Sequence, residues 1–295
     1  MIRKEPSNKM GITGRTDLAS EARNLWLRDA ERGSPLRGVR AENTRLRGLP
    51  LCAVEILNGE GAEALGKAPG RYYTLALPSP LSRSDARFSD AAAALAELLG
   101  RCLPARSEAP VLIAALGNPD VTPDALGSLT AGSLLVTRHL KERGTPGFEA
   151  FSSTLLCRTG VLGTTGVESA VQIRALCAAV RPRCVLAIDA LAGSELSGLC
   201  RSVQVCSSGI APGSGVGNDR EALNESSLGV PVIAVGVPTV MDASALSKRE
   251  ELSDLFVTPR FIDSAVRSVA RLLAYGINLA LHPGISVEDI DLLVG

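Results

Sequence analysis

Histidine is nearly absent from this 295-residue chain. His139 and His282 are the only two, and no HxxxH or HExxH spacing occurs. A histidine-based zinc site has almost nothing to be made from. Aromatic residues are also scarce, at five Phe, three Tyr and one Trp, so the core must come from Ala, Val, Leu and Ile. A base-stacking platform for single-stranded nucleic acid is not expected. The sequence has no run of about 18 apolar residues that would span a membrane. Its first residues, Met1-Ile-Arg-Lys-Glu-Pro-Ser-Asn-Lys9, lack the apolar stretch of a secretion signal. Cysteines occur at 52, 102, 157, 177, 184, 200 and 206, an odd number without any CxxC pair. They read as free thiols in a reducing compartment rather than as a disulfide or zinc framework. These absences predict a cytoplasmic, soluble protein with no cofactor.

The chain is long enough for one large or two modest domains, and 45% of it is apolar. Its 31 basic and 31 acidic side chains cancel, but unevenly. Residues 1–47 carry eleven basic and six acidic groups, net +5, which leaves the remainder at net −5. Such an arm could touch nucleic acid or an acidic partner. It reads better as an exposed tail whose arginines are solvated or lie on the acidic body, because Pro6, Gly11, Gly14, Gly33, Pro35 and Gly38 interrupt any long helix.

Beyond the arm, Leu51–Leu57 and Tyr72–Leu77 alternate as strands do, and Ala91–Leu99 is helical by propensity, ended by Gly100. Three apolar runs without polar alternation follow: Val111–Leu116, Cys184–Ile188 and Val232–Val235. They suit strands buried on both faces. Helical patterns at about 124–142, 167–180, 219–226 and 259–281 supply the crossovers. The expected fold is α/β, a mostly parallel twisted sheet flanked by helices, with a small β-rich N-terminal region.

In such sheets ligands bind beyond the carboxyl ends of the strands. The first run leads into Gly117-Asn-Pro-Asp-Val-Thr-Pro-Asp124, the second closes on Asp189, and the third runs into Gly236-Val-Pro-Thr-Val-Met-Asp242. Asp124 has a structural explanation, since Thr122-Pro123-Asp124 makes a good helix start. Asp189, directly after four apolar residues, is harder to explain that way, because a desolvated carboxylate is costly unless paired or protonated. Two carboxylates at one sheet edge could share a proton, one acting as base and the other as acid toward water.

The glycine-rich stretch Ser207–Asn218, with Gly213 and Gly215, lacks both GK[ST] and GxGxxG. It reads as a loop that bends tightly or offers N–H groups to a peptide or oxyanion. Gly163 and Glu168 lie in a second such loop, Gly160–Glu168, with Glu168 read as a first-turn acid. Arg138 and His139, placed on the helix opened by Asp124, could meet a substrate carboxylate. No GxSxG elbow is formed, and nothing points to a cysteine nucleophile.

Seven colinear blocks carry a resemblance: Arg15–Glu21, Gly117–Gly127, Val136–Leu140, Gly160–Glu168, Ala187–Leu191, Gly209–Asn218 and Pro231–Val240. Together they resemble the spore germination protease family. The resemblance implies a self-processing endopeptidase, made as a zymogen, that degrades small acid-soluble spore proteins in the spore core. It implies a homotetramer, with Asp124 and Asp189 as the catalytic pair. It implies no membrane partner, and nucleic acid only indirectly through the substrate. Thr16-Asp-Leu-Ala-Ser-Glu21 is similar to the family's substrate sequence, cut after an acidic residue. The implied self-cleavage is at Asp17–Leu18, dividing the chain into a propeptide, 1–17, and a single α/β peptidase domain, 18–295. Asn118, Arg138, His139, Gly163, Glu168, Gly213, Gly215 and Asp242 are the candidate substrate-binding residues. Family members carry a longer segment where Ala243–Thr258 stands here, which bears on substrate access and subunit contacts.

The fold is also expected to be like those of phosphorylases and hydrogenase-maturation peptidases. The latter have a Gly-Asn…Asp-x-x-Gly pattern echoed by Gly117-Asn118…Asp124-Ala-Leu-Gly127. By that analogy the two aspartates would be metal ligands. A third reading is a non-enzymatic module that binds an acidic partner through the arm.

Overall fold

A computed structural model describes residues 16–29, 36–214, 220–246, 252 and 255–294. From the N-terminus the elements are α1 (Ala19–Asp29), β1 (Val39–Leu46), β2 (Leu49–Ile56), α2 (Gly59–Leu65), β3 (Gly70–Ala76), α3 (Phe88–Cys102) and β4 (Val111–Leu116). Next come α4 (Leu126–Thr130), α5 (Arg138–Glu142), β5 (Thr154–Gly160), α6 (Leu162–Thr165), α7 (Ser169–Val180), β6 (Cys184–Gly193) and β7 (Ser202–Cys206). The chain closes with α8 (Glu225–Leu228), β8 (Val232–Asp242), β9 (Phe256–Val257), α9 (Ile262–Leu281) and α10 (Val287–Val294).

Among the described residues nine strands form one mixed sheet in the order β1-β2-β3-β7-β8-β6-β4-β5, with β9 paired to β8. The three apolar runs become β4, β6 and β8, and these pair in parallel, as does β5 with β4. The α/β class is as expected. The antiparallel part is larger than expected, however: β3 pairs with β7 and β7 with β8. The β-rich N-terminal region is therefore an extension of the main sheet.

Apolar side chains cover both faces, which is why these strands lack polar alternation. One face carries Ile113, Leu186, Ile188, Val205 and Val235 against α3 and α9. The other carries Leu112, Ala114, Val185, Ala187 and Ala234 with Ile173 of α7 and Ala19 and Ala22 of α1. Directly paired residues share a face. Thr74, Gln204, Gly236 and Asp189 therefore form one transverse row on the α1 face.

The expected tail differs from the structure where it is described. Residues 19–29, a stretch without glycine or proline, form α1, and Leu18 and Ala19 are 1% and 0% exposed. Full burial of a leucine contributes about 2 kcal/mol. Arg28 pairs with Glu195 at 3.6 Å, a contact of the arm with the acidic body. Further on, Val39–Leu46 is an edge strand.

The helix expected at 124–142 is likewise divided. A 3-10 turn at Thr122–Asp124 and helix α4 are followed by Leu134 in extended conformation, and α5 is separate. Asn278, buried in α9, holds this break by donating to Ser133 O and accepting from Leu135 N. Among the described residues no helix is long and apolar enough to cross a membrane, and all seven cysteines are free.

Candidate active site

Asp189 lies on β6 in the transverse row and is 4% exposed. Its Oδ1 accepts the N–H of Ala190 at 3.0 Å. Burial lifts its pKa well above the usual carboxylate range, and the neighbouring Asp124 and Asp17 raise it further. Asp124 follows β4 through a tight loop. Its Oδ2 accepts the Asn118 N–H at 2.7 Å, so the carboxylate folds back onto the strand end instead of merely opening a helix. Thr122, at the expected helix start, makes no cap and donates instead to Asp263 at 2.9 Å. Burial raises the pKa of Asp124, while the Asn118 N–H and Arg220 oppose the rise.

Gly117 permits this fold-back, with φ +93° and a virtual Cβ only 2.0 Å from the Asp124 carbonyl oxygen. Gly117→Ala suffers the unfavourable φ, about 1–3 kcal/mol, together with this clash. It is expected to lower Tm by several degrees, as read by calorimetry.

A cavity of about 260 Å³ brings Asp17, Asp124, Asp189, Gly213, Arg220 and Thr239 together. The buried Thr239 hydroxyl has no hydrogen-bond partner among the described residues. Arg220 lines the same cavity, and its charge opposes the rise of both carboxyl pKa values.

The segment before α1 forms a strap that meets this cavity at Asp17. Asp17 N donates to Ala192 O at 2.8 Å, and Ala192 N donates to Asp17 Oδ2 at 2.8 Å. Ser214 Oγ donates to Asp17 Oδ1 at 2.8 Å, and Lys67 Nζ lies 4.0 Å from the same oxygen. Lys67 also donates to Thr16 O at 2.7 Å. Further along, the buried Glu21 carboxylate accepts from Thr16 Oγ1 at 2.7 Å, Ser194 N at 2.5 Å and Ser194 Oγ at 2.9 Å. These bonds oppose the upward pull of burial on its pKa.

The other candidates are less central. Asn118 contributes through its backbone, while its side chain accepts from Asp120 N. Arg138 is half-exposed and paired with Glu142 at 2.8 Å, and neither it nor His139 lines the cavity, because α5 is separate from the turn that carries Asp124. Gly163 is exposed in α6, and Glu168 precedes α7 without a side-chain cap. Asp242 caps Ser244 N at 2.8 Å. Gly215 lies outside the described residues. Among the described residues no group of three or more His, Cys, Asp or Glu is arranged to hold a metal ion.

Sequence reasoning missed Lys67, Ser194, Gln204, Ser214 and Arg220. Only the strap-like motif at Thr16–Glu21 could have prompted a search for its receptors.

The germination protease sequence pattern matches residues 17–250. The chain belongs to the germination protease family. It is 36% identical over 320 aligned positions to the germination protease of Clostridium perfringens, covering 94% of this chain and 98% of that one. The germination protease of Caldanaerobacter subterraneus is also 36% identical, with 95% and 98% covered. That of a Geobacillus species is 38% identical over 245 positions, covering 79% of this chain and 65% of that protein. Membership of the germination protease family makes the chain a peptidase.

Proposed function

We propose that the chain is a self-processing endopeptidase of spore germination that cuts after an acidic residue, with Asp124 and Asp189 as the aspartic pair. The observation that carries this reading is the strap, Thr16-Asp-Leu-Ala-Ser-Glu21, whose Asp17 lines the cavity that holds both aspartates. Ala192 N, Ser214 and Lys67 surround the Asp17 carboxylate as receptors for an acidic residue before the cut. Ser194 would read a glutamate four positions after it.

In the reaction the ionised aspartate takes a proton from water, and the water oxygen bonds to the Asp17 carbonyl carbon. The protonated aspartate supplies the proton to the Leu18 nitrogen as the C–N bond breaks. The products are a propeptide ending at Asp17 and a peptidase domain starting at Leu18. Small acid-soluble spore proteins bearing the same motif are the proposed substrates, the spore core the proposed location and a homotetramer the proposed assembly.

Intact-mass analysis of the full chain at mildly acid pH tests the reading, with loss of residues 1–17 as the expected result. Cleavage elsewhere, or none, overturns it. Asp17→Ala removes the group seen by Ser214, Ala192 and Lys67. It is expected to slow the cut by about 10²-fold or more, from at least two lost charge-assisted hydrogen bonds.

A further inference from the structure

We propose that Gln204 is a further catalytic residue, its side-chain amide donating a hydrogen bond to the carbonyl oxygen that becomes negatively charged during hydrolysis. The proposal rests on the reading of Asp17–Leu18 as the bond that is cut. Gln204 is on β7, 5% exposed. Its Nε2 donates to Asp17 O at 3.0 Å, and its Oε1 accepts from Ala19 N at 2.8 Å. One side chain thus grips the peptide on both sides of the Asp17–Leu18 bond. The amide orientation is fixed by chemistry, because a carbonyl oxygen only accepts and a backbone N–H only donates.

Two features separate this contact from incidental packing. First, the strap satisfies the buried amide at both ends, and a buried amide without partners is costly. The site without a peptide therefore presents an unsatisfied donor and acceptor to the backbone of any sequence that enters. Second, the transverse row runs Gln204, Gly236, Asp189, so these two side chains share a face with a glycine between them. At the usual strand spacing their Cα atoms are about 10 Å apart. A peptide lying over Gly236 then has the amide donor on one side and the carboxyl pair on the other.

As water adds, the carbonyl double bond opens and its electron pair moves to oxygen. Gln204 stabilises that charge without transferring a proton, and the pair returns as the bond to Leu18 nitrogen breaks. Loss of one such donor lowers rates by about 10²–10³-fold.

The test follows self-cleavage of the full chain by intact mass in wild type, Gln204→Met and Gln204→Glu. The single tryptophan, Trp26 on α1, reports by its emission whether the strap stays docked. Gln204→Glu retains the acceptor for Ala19 N and loses the amide donor. Both variants are expected to cut about 10²-fold more slowly or worse, and Gln204→Glu with unchanged Trp26 emission. Its rate relative to wild type should recover as pH falls, because a protonated glutamic acid regains a donor, whereas Gln204→Met should not recover. Wild-type rates in Gln204→Glu, or a loss that tracks a Trp26 emission change in that variant, overturn the proposal. If Gln204→Met fails to fold, the pH response of Gln204→Glu decides alone. A wild-type chain that does not cut at Asp17–Leu18 refutes the underlying reading instead.

Discussion

An Asp189→Asn chain is expected to stop cutting itself and, at neutral pH, to melt at a higher temperature than the wild type. The first effect follows from losing one member of an acid–base pair, which lowers the rate by about 10²–10⁴-fold. The second follows from proton linkage. Burial first, and then Asp124 and Asp17, raise the Asp189 pKa, so the folded chain binds this proton more tightly than the unfolded chain does. The associated stability is fully present below the unfolded pKa, near 3.9 for an ordinary aspartate. It declines as pH rises from there to the raised folded value, and is then lost. Asparagine has no ionised form to bury, and its oxygen can still accept the Ala190 N–H. The difference in Tm should therefore be small near pH 3 and grow toward pH 7. Calorimetry across that range, together with intact-mass analysis, is the measurement. A variant that melts no higher than wild type at pH 7 contradicts the burial argument, and one that still releases residues 1–17 contradicts the catalytic role.

The legible part of this site is the part written along single strands. Val111–Leu116 and Cys184–Ile188 declare themselves as strands buried on both faces; Asp124 does follow the first beyond its carboxyl end, whereas Asp189 lies inside β6, which runs on to Gly193. Gln204 is not legible in that way. It is one polar residue in the five-residue strand Ser202–Cys206, and its meaning comes from partners 187 and 185 positions away at Asp17 and Ala19. That convergence depends on β7 entering antiparallel between β3 and β8, which no local pattern specifies. Lys67 and Ser194 likewise acquire a role only through the strap. The arm misleads for a related reason. Ala19 and Ala22 find an apolar seat on the sheet, and Leu18, next to them in sequence, is buried. Tertiary burial, absent from any one-dimensional reading, turns a tail into a docked helix.

The rate of self-cleavage should follow a bell-shaped pH profile whose two limbs belong to the aspartate pair jointly. Burial raises both carboxyl pKa values, and the Asp189 value is raised further by Asp124. Between the two apparent values one carboxyl is protonated and the other ionised, which is the state that can both activate water and protonate the leaving nitrogen. At higher pH the acid is lost, and at lower pH the base is lost. Arg220 supplies a direct perturbation, since its charge lowers both values. Arg220→Gln should move both limbs to higher pH, so that the variant gains relative to wild type on the alkaline side and loses on the acid side. Intact-mass rates between about pH 4 and 8 would display the crossing. A profile that drops uniformly without moving would mean that Arg220 holds structure rather than tuning protons. A profile without an acid limb in the wild type would mean that no ionised carboxylate acts as the base.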